Sequence, residues 1–275
     1  MENPAPIKLP LLFMSARADE MQMSRLFVAG LQSGVRGFDT AREYRAEKSV
    51  GRALKAALAE TGVERKDIFV QSRISNEEIL RGNIRDEVMR SVETIGLDYL
   101  DSFMFHWPTP DVYVGAWRKL TDVYENGNVI KSIGICNVRQ RHIQRMIDAH
   151  VDMLPQIVQV EVTPFWQVKV LKEFCDNHAI AMQAFSPLCK MIEPVRDNPV
   201  LKRLAAAYNV SVPQIILRWN VQRGIAPISM TSKVSRVKEN FDVMSFYLSK
   251  FDMRLISELD CGYKFHLESA TCVGF

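Results

Sequence analysis

A short stretch near the start of the chain, residues 37–44, carries a carboxylate and a phenol at a spacing that could support acid–base chemistry. An apolar run ends at Asp39, and Tyr44 follows five residues later. At the end of a strand these two groups could share the floor of a pocket, where a phenol flanked by charge becomes a usable proton donor. The same spacing also fits a surface turn with a hydrogen-bonded Asp39 and a half-buried Tyr44. The stretch alone leaves both interpretations open.

The length and composition of the chain argue against several classes of protein. Its 275 residues suffice for one large α/β barrel or two modest domains. Lys and Arg (35) barely exceed Asp and Glu (32) and are scattered along the chain, so we expect no nucleic-acid partner. The 5 cysteines are odd in number and lack zinc-type pairing, which indicates free thiols in a reducing compartment and predicts no metal site.

The N-terminal residues lack the pattern typical of a targeting segment. No basic region precedes the short apolar run near the N-terminus, so a signal peptide is not expected. No apolar stretch approaches the ~18 residues that span a bilayer. We therefore predict a soluble cytoplasmic protein without a membrane partner, and a monomer is its simplest oligomeric state.

Apolar runs of strand length alternate with amphipathic stretches from one end of the chain to the other. The predicted strands are 9–15, 35–40, 68–72, 99–106, 131–136, 157–162, 180–185 and 225–229. The predicted helices are 18–32, 46–60, 77–95, 112–125, 139–149, 167–178, 199–208, 212–223 and 234–241, and the tail from residue 242 is less regular.

This alternation favours one particular fold. Strands that are almost continuously apolar and separated by helices are parallel and buried on both faces. Eight such units fit a closed (β/α)8 TIM barrel, which typically has about 250 residues, better than an open sheet. The first strand is not followed by a Gly-x-Gly-x-x-Gly motif, so the usual dinucleotide-binding fingerprint is absent. No shift in composition marks a boundary, and we predict a single domain, 1–275.

Active sites of such barrels form at the carboxyl ends of the strands, so residues that are far apart in the sequence are predicted to meet in one site. Asp39, Tyr44, Arg73 and His106 all fall at or just after the ends of three adjacent predicted strands. A phenol has a reference pKa near 10 and needs a neighbouring cation to exchange its proton readily at neutral pH. Arg73 could stabilise the phenolate while Asp39 holds the guanidinium, and His106 could orient a substrate oxygen. This set predicts a site that polarises and protonates a carbonyl.

Ordered blocks of sequence resemble the aldo-keto reductase family over nearly the whole chain. The blocks are 34–41 with Tyr44 and Gly51, 98–101 with 105–108, 132–137, Gln159 with Glu161 and Pro164, and 184–188. The resemblance implies a barrel that binds NADPH in an extended conformation and passes hydride to an aldehyde or ketone. It implies Tyr44 as the proton donor, and the short loops are similar to those of small bacterial reductases of keto-sugars.

The resemblance also implies a set of cofactor-binding residues. Asn137 and Gln159 would hold the nicotinamide carboxamide, Phe185 would stack on the ring, and Trp107 would wall the substrate pocket. The complete implied set is Cys136, Asn137, Gln159, Phe185, Ser186, Leu188 and Thr231, with Arg236, Glu239 and Asn240 at the adenosine end.

Several departures from the family pattern keep other functions open, and two of them concern the catalytic cation and the cofactor phosphate. Arg73 stands where the family has Lys, and a guanidinium paired with Asp39 could be drawn away from Tyr44. Strand eight ends in 228–231, which lacks the Lys expected near the 2′-phosphate. Arg236 remains as a phosphate partner, so we expect NADPH with NADH possible. The alternatives are altered or redox-neutral chemistry on the same scaffold, or a binding protein that has lost catalysis.

Overall fold

A computed structural model gives the fold and describes residues 7–15 and 18–266. Within these residues, eight parallel strands form a closed barrel in chain order. The strands are β1 (Phe13–Ser15), β2 (Gly37–Asp39), β3 (Phe69–Ile74), β4 (Ser102–Phe105), β5 (Ile133–Cys136), β6 (Ile157–Glu161), β7 (Ala181–Phe185) and β8 (Ile225–Met230). Each strand overlaps the range predicted for it, and the (β/α)8 TIM barrel is confirmed.

Helices surround the barrel and cover the outer faces of the strands. Their bounds are α1 (Glu20–Gln32), α2 (Glu47–Thr61), α3 (Asn76–Arg81), α4 (Ile84–Ile95), α5 (Tyr113–Gly127), α6 (Gln140–Asp148), α7 (Lys169–Asn177), α8 (Glu193–Arg196), α9 (Pro199–Tyr208), α10 (Val212–Gln222), α11 (Val234–Phe241) and α12 (Lys250–Ser257). None of the helices in the described ranges is long and apolar enough to cross a bilayer.

Two helix predictions were wrong. The helix predicted over 77–95 is two helices, because α3 ends at Gly82, which adopts a left-handed conformation with φ of 77°. Ser75 closes the start of α3 with a capping box, so this short helix has its own start and stop signals. The tail predicted to be less regular contains α12, whose first turn is capped by the Ser249 side chain.

The lower end of the barrel interior is apolar. The rings of Phe13 and Phe69 meet edge to face, with centroids 5.5 Å apart, and Met104 and Ile157 lie in a neighbouring buried cluster. Gly37 leaves the room for this packing, because a Cβ at that position would lie 2.7 Å from the Phe13 ring. The chain fills this end with side chains, so polar groups nearer the carboxyl ends rest on a packed base.

A second close approach sets the position of α2 against α4. A Cβ on Gly51 would lie 1.9 Å from the carbonyl oxygen of Ile95. Only a residue without a side chain fits there. The turn that leads into α2 carries Tyr44, so this packing helps to fix the height of the phenol above the barrel.

Candidate active site

The turn after β2 presents Tyr44 to the barrel mouth. Residues Arg42–Tyr44 form one turn of 3-10 helix, which ends at Arg45 in a left-handed conformation. The Arg42 side chain connects this turn to the neighbouring helices, because its Nε lies 2.6 Å from Glu78 and its Nη1 donates to Ser91. The phenol is therefore carried by a short turn that is tied to α3 and α4.

Arg73 and Asp39 form a buried ion pair beneath the phenol. Arg73 lies inside β3, and its Nη2 donates to Asp39 Oδ1. Its Nε donates to the carbonyl of Thr40 at 3.3 Å, and its Nη1 donates to Gln159 Oε1. Burial, the largest single effect, disfavours the charged guanidinium, but the combined contributions of Asp39, Tyr44 and Cys136 outweigh it, and the pKa of Arg73 is raised above its ordinary value. The site holds a permanent cation.

The cation also acts on the phenol. The Arg73 Cζ lies 5.8 Å from the centroid of the Tyr44 ring. The Tyr44 oxygen contributes to the Coulombic environment that raises the pKa of Arg73. The Asp39 pair therefore does not remove Arg73 from Tyr44, although much of its hydrogen-bonding capacity is directed to other groups.

Three glutamines complete a polar layer that sequence reasoning only partly identified. Gln71, Gln159 and Gln183 are all fully buried. Gln183 Oε1 accepts from the side-chain amides of Gln71 at 3.0 Å and Gln159 at 2.8 Å, and Gln183 donates back to Gln71 Oε1 at 2.8 Å. Because the Gln159 nitrogen faces Gln183, its oxygen faces Arg73. Gln71 donates to Asp39 at 2.6 Å, so the amides and the ion pair form one network.

His106 follows β4 and faces the same mouth. Its ring meets the Tyr44 ring edge to face, with centroids 6.2 Å apart. Trp107 lies roughly parallel to it at 6.4 Å, where it can form part of a substrate wall. The Glu43 carboxylate lies 3.1 Å from His106 Nδ1. Sequence reasoning missed Glu43, although its place directly before Tyr44 in the same turn was the available signal.

Cys136 lies under the cation and not in the open mouth. It is fully buried, and its Sγ is 3.8 Å from Arg73 Nη1. Burial raises the pKa of the Cys136 thiol to about 12, with Arg73 opposing that shift. The neutral thiol is a small packing group here and a poor nucleophile. No cluster of three His, Cys, Asp or Glu residues in the described part of the chain could hold a metal ion.

The residues predicted to surround the nicotinamide are close together, and several already have partners. Asn137 donates to the His106 carbonyl at 2.9 Å. Ser186 Oγ lies 2.7 Å from His266 Nε2, and the Phe185 and His266 rings meet at 5.6 Å. Leu188 is partly buried against the core, and Gln159 is held within the polar layer.

The residues predicted at the adenosine end lie after β8 and on α11. Arg236 is exposed and Glu239 is half-buried. The buried Asn240 donates to Ser229 at 2.7 Å, and Thr231 accepts from the backbone of Lys233 at 3.1 Å. An exposed guanidinium at the start of α11 is a suitable partner for a phosphate group. This donor set and the aromatic Phe185 fit a dinucleotide at the barrel mouth.

Comparison with known proteins gives the family. Residues 15–260 match the model of the aldo/keto reductase family. Methylglyoxal reductase DkgA of Escherichia coli (strain K12) is 35% identical over 271 residues, which cover 95% of this chain and 96% of that protein. Glyoxal reductase of Bacillus subtilis (strain 168) is 36% identical over 233 residues, which cover 84% and 81%.

Solved structures show the same architecture. An aldo-keto reductase, MGS-M4, from a Medee basin deep-sea metagenome library superposes with a TM-score of 0.86 at 28% identity and covers 93% of each chain. An aldo-keto reductase of Bombyx mori in complex with NADP also has a TM-score of 0.86, at 26% identity, with 94% of this chain and 91% of that chain covered. The match therefore extends along the sequence and in three dimensions, and the chain belongs to the aldo/keto reductase family.

Proposed function

We propose that the protein reduces an aldehyde or ketone to an alcohol with NAD(P)H and that Tyr44 donates the proton. The observation that carries this proposal is the meeting of Tyr44, His106 and the Arg73–Asp39 pair at one end of the barrel. Relatives named methylglyoxal and glyoxal reductases support a small carbonyl compound as the substrate. Reduction of a carbonyl needs a proton at the oxygen, and these residues form a proton-donating group.

Each residue of the site has a separate role at the carbonyl oxygen. His106 orients the oxygen by a hydrogen bond, and Tyr44 gives its hydroxyl proton to it. The Arg73 charge stabilises the phenolate left behind, because a cation favours the charged form of a neighbouring phenol. Asp39 keeps the guanidinium in place through their buried contact. Trp107 forms the adjacent wall, which excludes water from the reacting oxygen.

The proposed cofactor is NADPH, with NADH as a possible substitute. When bound, the nicotinamide supplies the hydride. Phe185 and Ser186 provide the contact surface for the nicotinamide end, and Arg236 provides the cation for the 2′-phosphate. Since Arg236 is exposed and no Lys stands at 228–231, we expect a modest preference for NADPH over NADH. The NADP complex of the Bombyx mori relative supports this assignment.

A catalytically altered protein is the second candidate, and one observation favours it. Arg73 donates to Asp39, Thr40 and Gln159, so much of its hydrogen-bonding capacity is committed to groups other than Tyr44. Under this alternative the dinucleotide binds without net oxidation, or the protein only binds ligands. Both alternatives predict that NADPH is not consumed.

A reductase assay tests the proposal. NADPH oxidation is followed at 340 nm with a panel of aldehydes and ketones that includes methylglyoxal and glyoxal. Tyr44→Phe removes the proton donor, and we expect kcat to fall by roughly 10²- to 10⁴-fold. Tyr247→Phe is the matched control, because Tyr247 is 68% exposed on the surface. An absence of NADPH oxidation with every carbonyl, or equal rates for Tyr44→Phe and wild type, would overturn the proposal.

A further inference from the structure

The residues that follow α12 form a segment across the barrel mouth, which we name the C-terminal strap (residues 261–266). The backbone N–H groups of Cys261 and Tyr263 both donate to the carbonyl of Phe165, at 3.3 and 3.1 Å. The Lys190 ammonium lies 5.7 Å from the centroid of the Phe265 ring. The strap is therefore tied at its start to the loop after β6, and farther along it contacts the loop after β7.

Glu161 at the end of β6 holds the far end of the strap. Its Oε1 accepts from the Phe265 N–H at 2.6 Å, and its Oε2 accepts from the His266 N–H at 2.9 Å. The Glu161 residue is only 2% exposed. A buried carboxylate is costly unless charge-assisted hydrogen bonds compensate, and here both of its oxygens receive one. The backbone of these two strap residues is thus part of a specific anchor.

The anchor places the His266 imidazole on two residues of the proposed cofactor site. His266 Nε2 lies 2.7 Å from the Ser186 hydroxyl, and the imidazole packs against the Phe185 ring, with centroids 5.6 Å apart and an interplanar angle of 67°. Phe185 is the residue proposed to stack on the nicotinamide, and Ser186 the residue proposed beside the pyrophosphate. The strap and a bound dinucleotide therefore use the same surface.

We propose that Glu161 is a positioning residue which holds His266 against Phe185 and Ser186, so that the dinucleotide binds only when this end of the strap is released. The inference rests on the proposed function, because it takes those two residues as cofactor contacts. An apparent Kd equals the intrinsic Kd divided by the fraction of molecules in the competent state. Loosening the anchor raises that fraction and tightens binding, although it adds no contact to the cofactor.

The change Glu161→Gln loosens the anchor with little change in volume. A carboxylate presents an acceptor to each strap amide, whereas a carboxamide presents one acceptor and one donor, and the donor faces an N–H. His266→Ala removes the imidazole and leaves the anchor in place. Glu258→Gln is the matched control, because Glu258 is exposed and lies in the same part of the chain.

Two measurements on the full-length protein test the coupling. Calorimetric titration with NADP⁺ gives the Kd, and hydrogen–deuterium exchange reports the amides of Phe265 and His266. We expect slow exchange of both amides in the free protein and faster exchange with saturating NADP⁺. We expect Glu161→Gln, which loses one charge-assisted hydrogen bond of the anchor, to lower the Kd by about three- to tenfold. We expect a decrease of the same order for His266→Ala, which removes the imidazole that contacts Ser186 and Phe185. Glu258→Gln should match wild type.

The outcomes separate this inference from the proposed function. If NADP⁺ binds wild type and both strap variants with one Kd and leaves the two amides protected, the strap inference is overturned and the reductase proposal stands. Weaker binding by His266→Ala would also overturn the strap inference, since it would make His266 a cofactor contact. If NADP⁺ binds neither wild type nor the variants, both proposals are overturned.

Discussion

Replacement of Arg73 by Lys tests how the buried cation serves Tyr44. The guanidinium is planar and directs its donors to Asp39, Gln159 and the carbonyl of Thr40. An ammonium is a compact charge with three donors on a flexible stem, so it can keep Asp39 and also turn toward the phenol. We expect Arg73→Lys to raise the rate of carbonyl reduction.

The structure gives the size of the expected effect. The Arg73 Cζ is 5.8 Å from the Tyr44 ring centroid. With the ring centroid taken as the position of the phenolate charge and an effective dielectric constant of about 20, a unit charge at that distance interacts with it by about 3 kcal/mol, and at ~4 Å by about 4 kcal/mol. The difference of about 1 kcal/mol corresponds to roughly a fivefold increase in kcat. The same change removes hydrogen bonds to Gln159 and Thr40, so we expect the free energy of unfolding to fall by about 1–3 kcal/mol.

The assay measures kcat by NADPH oxidation and stability by urea denaturation on the same preparations. Arg73→Met is the control that removes the charge. It leaves the carboxylate of Asp39 buried and unpaired, so we expect a lower rate and a loss of about 3–5 kcal/mol in the free energy of unfolding. A rate for Arg73→Lys equal to or below that of wild type would refute the view that the distance between the cation and the phenol limits how strongly the cation stabilises the phenolate.

Two further predictions concern residues outside the reacting groups. Burial raises the pKa of Glu47 in the folded protein above its unfolded value near 4.5. The stability that this shift contributes is fully present below the unfolded pKa and is lost as the pH rises through the folded pKa. Glu47→Gln should therefore gain stability relative to wild type between pH 4 and pH 7 in urea denaturation, and a pH-independent difference would contradict this. Gly51→Ala places a Cβ 1.9 Å from the Ile95 carbonyl and should cost more than about 2 kcal/mol. Gly115→Ala, which meets no atom within 4 Å inside α5, should stabilise by about 0.5–1 kcal/mol, and similar effects at both glycines would refute the packing argument.

The barrel could be predicted from the sequence because its signals are local and repeated. Each strand is an apolar run bounded by Gly, Pro or polar residues, and closure follows from the number of such units. The errors arose where signals were short. A residue such as Gly82 inside an otherwise helical pattern can be tolerated or can end a helix, and only the packing of α3 and α4 decides. The eight residues of α12 are too few to establish a period.

The arrangement of the site was only partly predictable. The carboxyl-end rule brings Asp39, Tyr44, Arg73 and His106 to one mouth without knowledge of any distance. It does not say which donor meets which acceptor. Gln71 and Gln183 are 112 residues apart in the chain and share two hydrogen bonds across the barrel. In the sequence, each appears as a polar residue inside an apolar strand. Such a residue is expected to face inward and to need a hydrogen-bond partner, but the pattern does not identify that partner.

The hydrogen bonds of Arg73 depend on the glutamines of the polar layer around it. A buried guanidinium needs several acceptors, and a carboxylate alone cannot satisfy it. Gln159 can present its oxygen to Arg73 because its amide nitrogen donates to Gln183 at 2.8 Å and to Asp39 at 3.4 Å, so the orientation of Gln159 depends on a second buried glutamine as well as on the ion pair. A Lys at position 73 has fewer donors and would leave the Gln159 oxygen available to the amino group of a nicotinamide carboxamide. The identity of the cation thus affects both proton donation by Tyr44 and the hydrogen bonds offered to the cofactor, and a change at this position should alter kcat and cofactor affinity together.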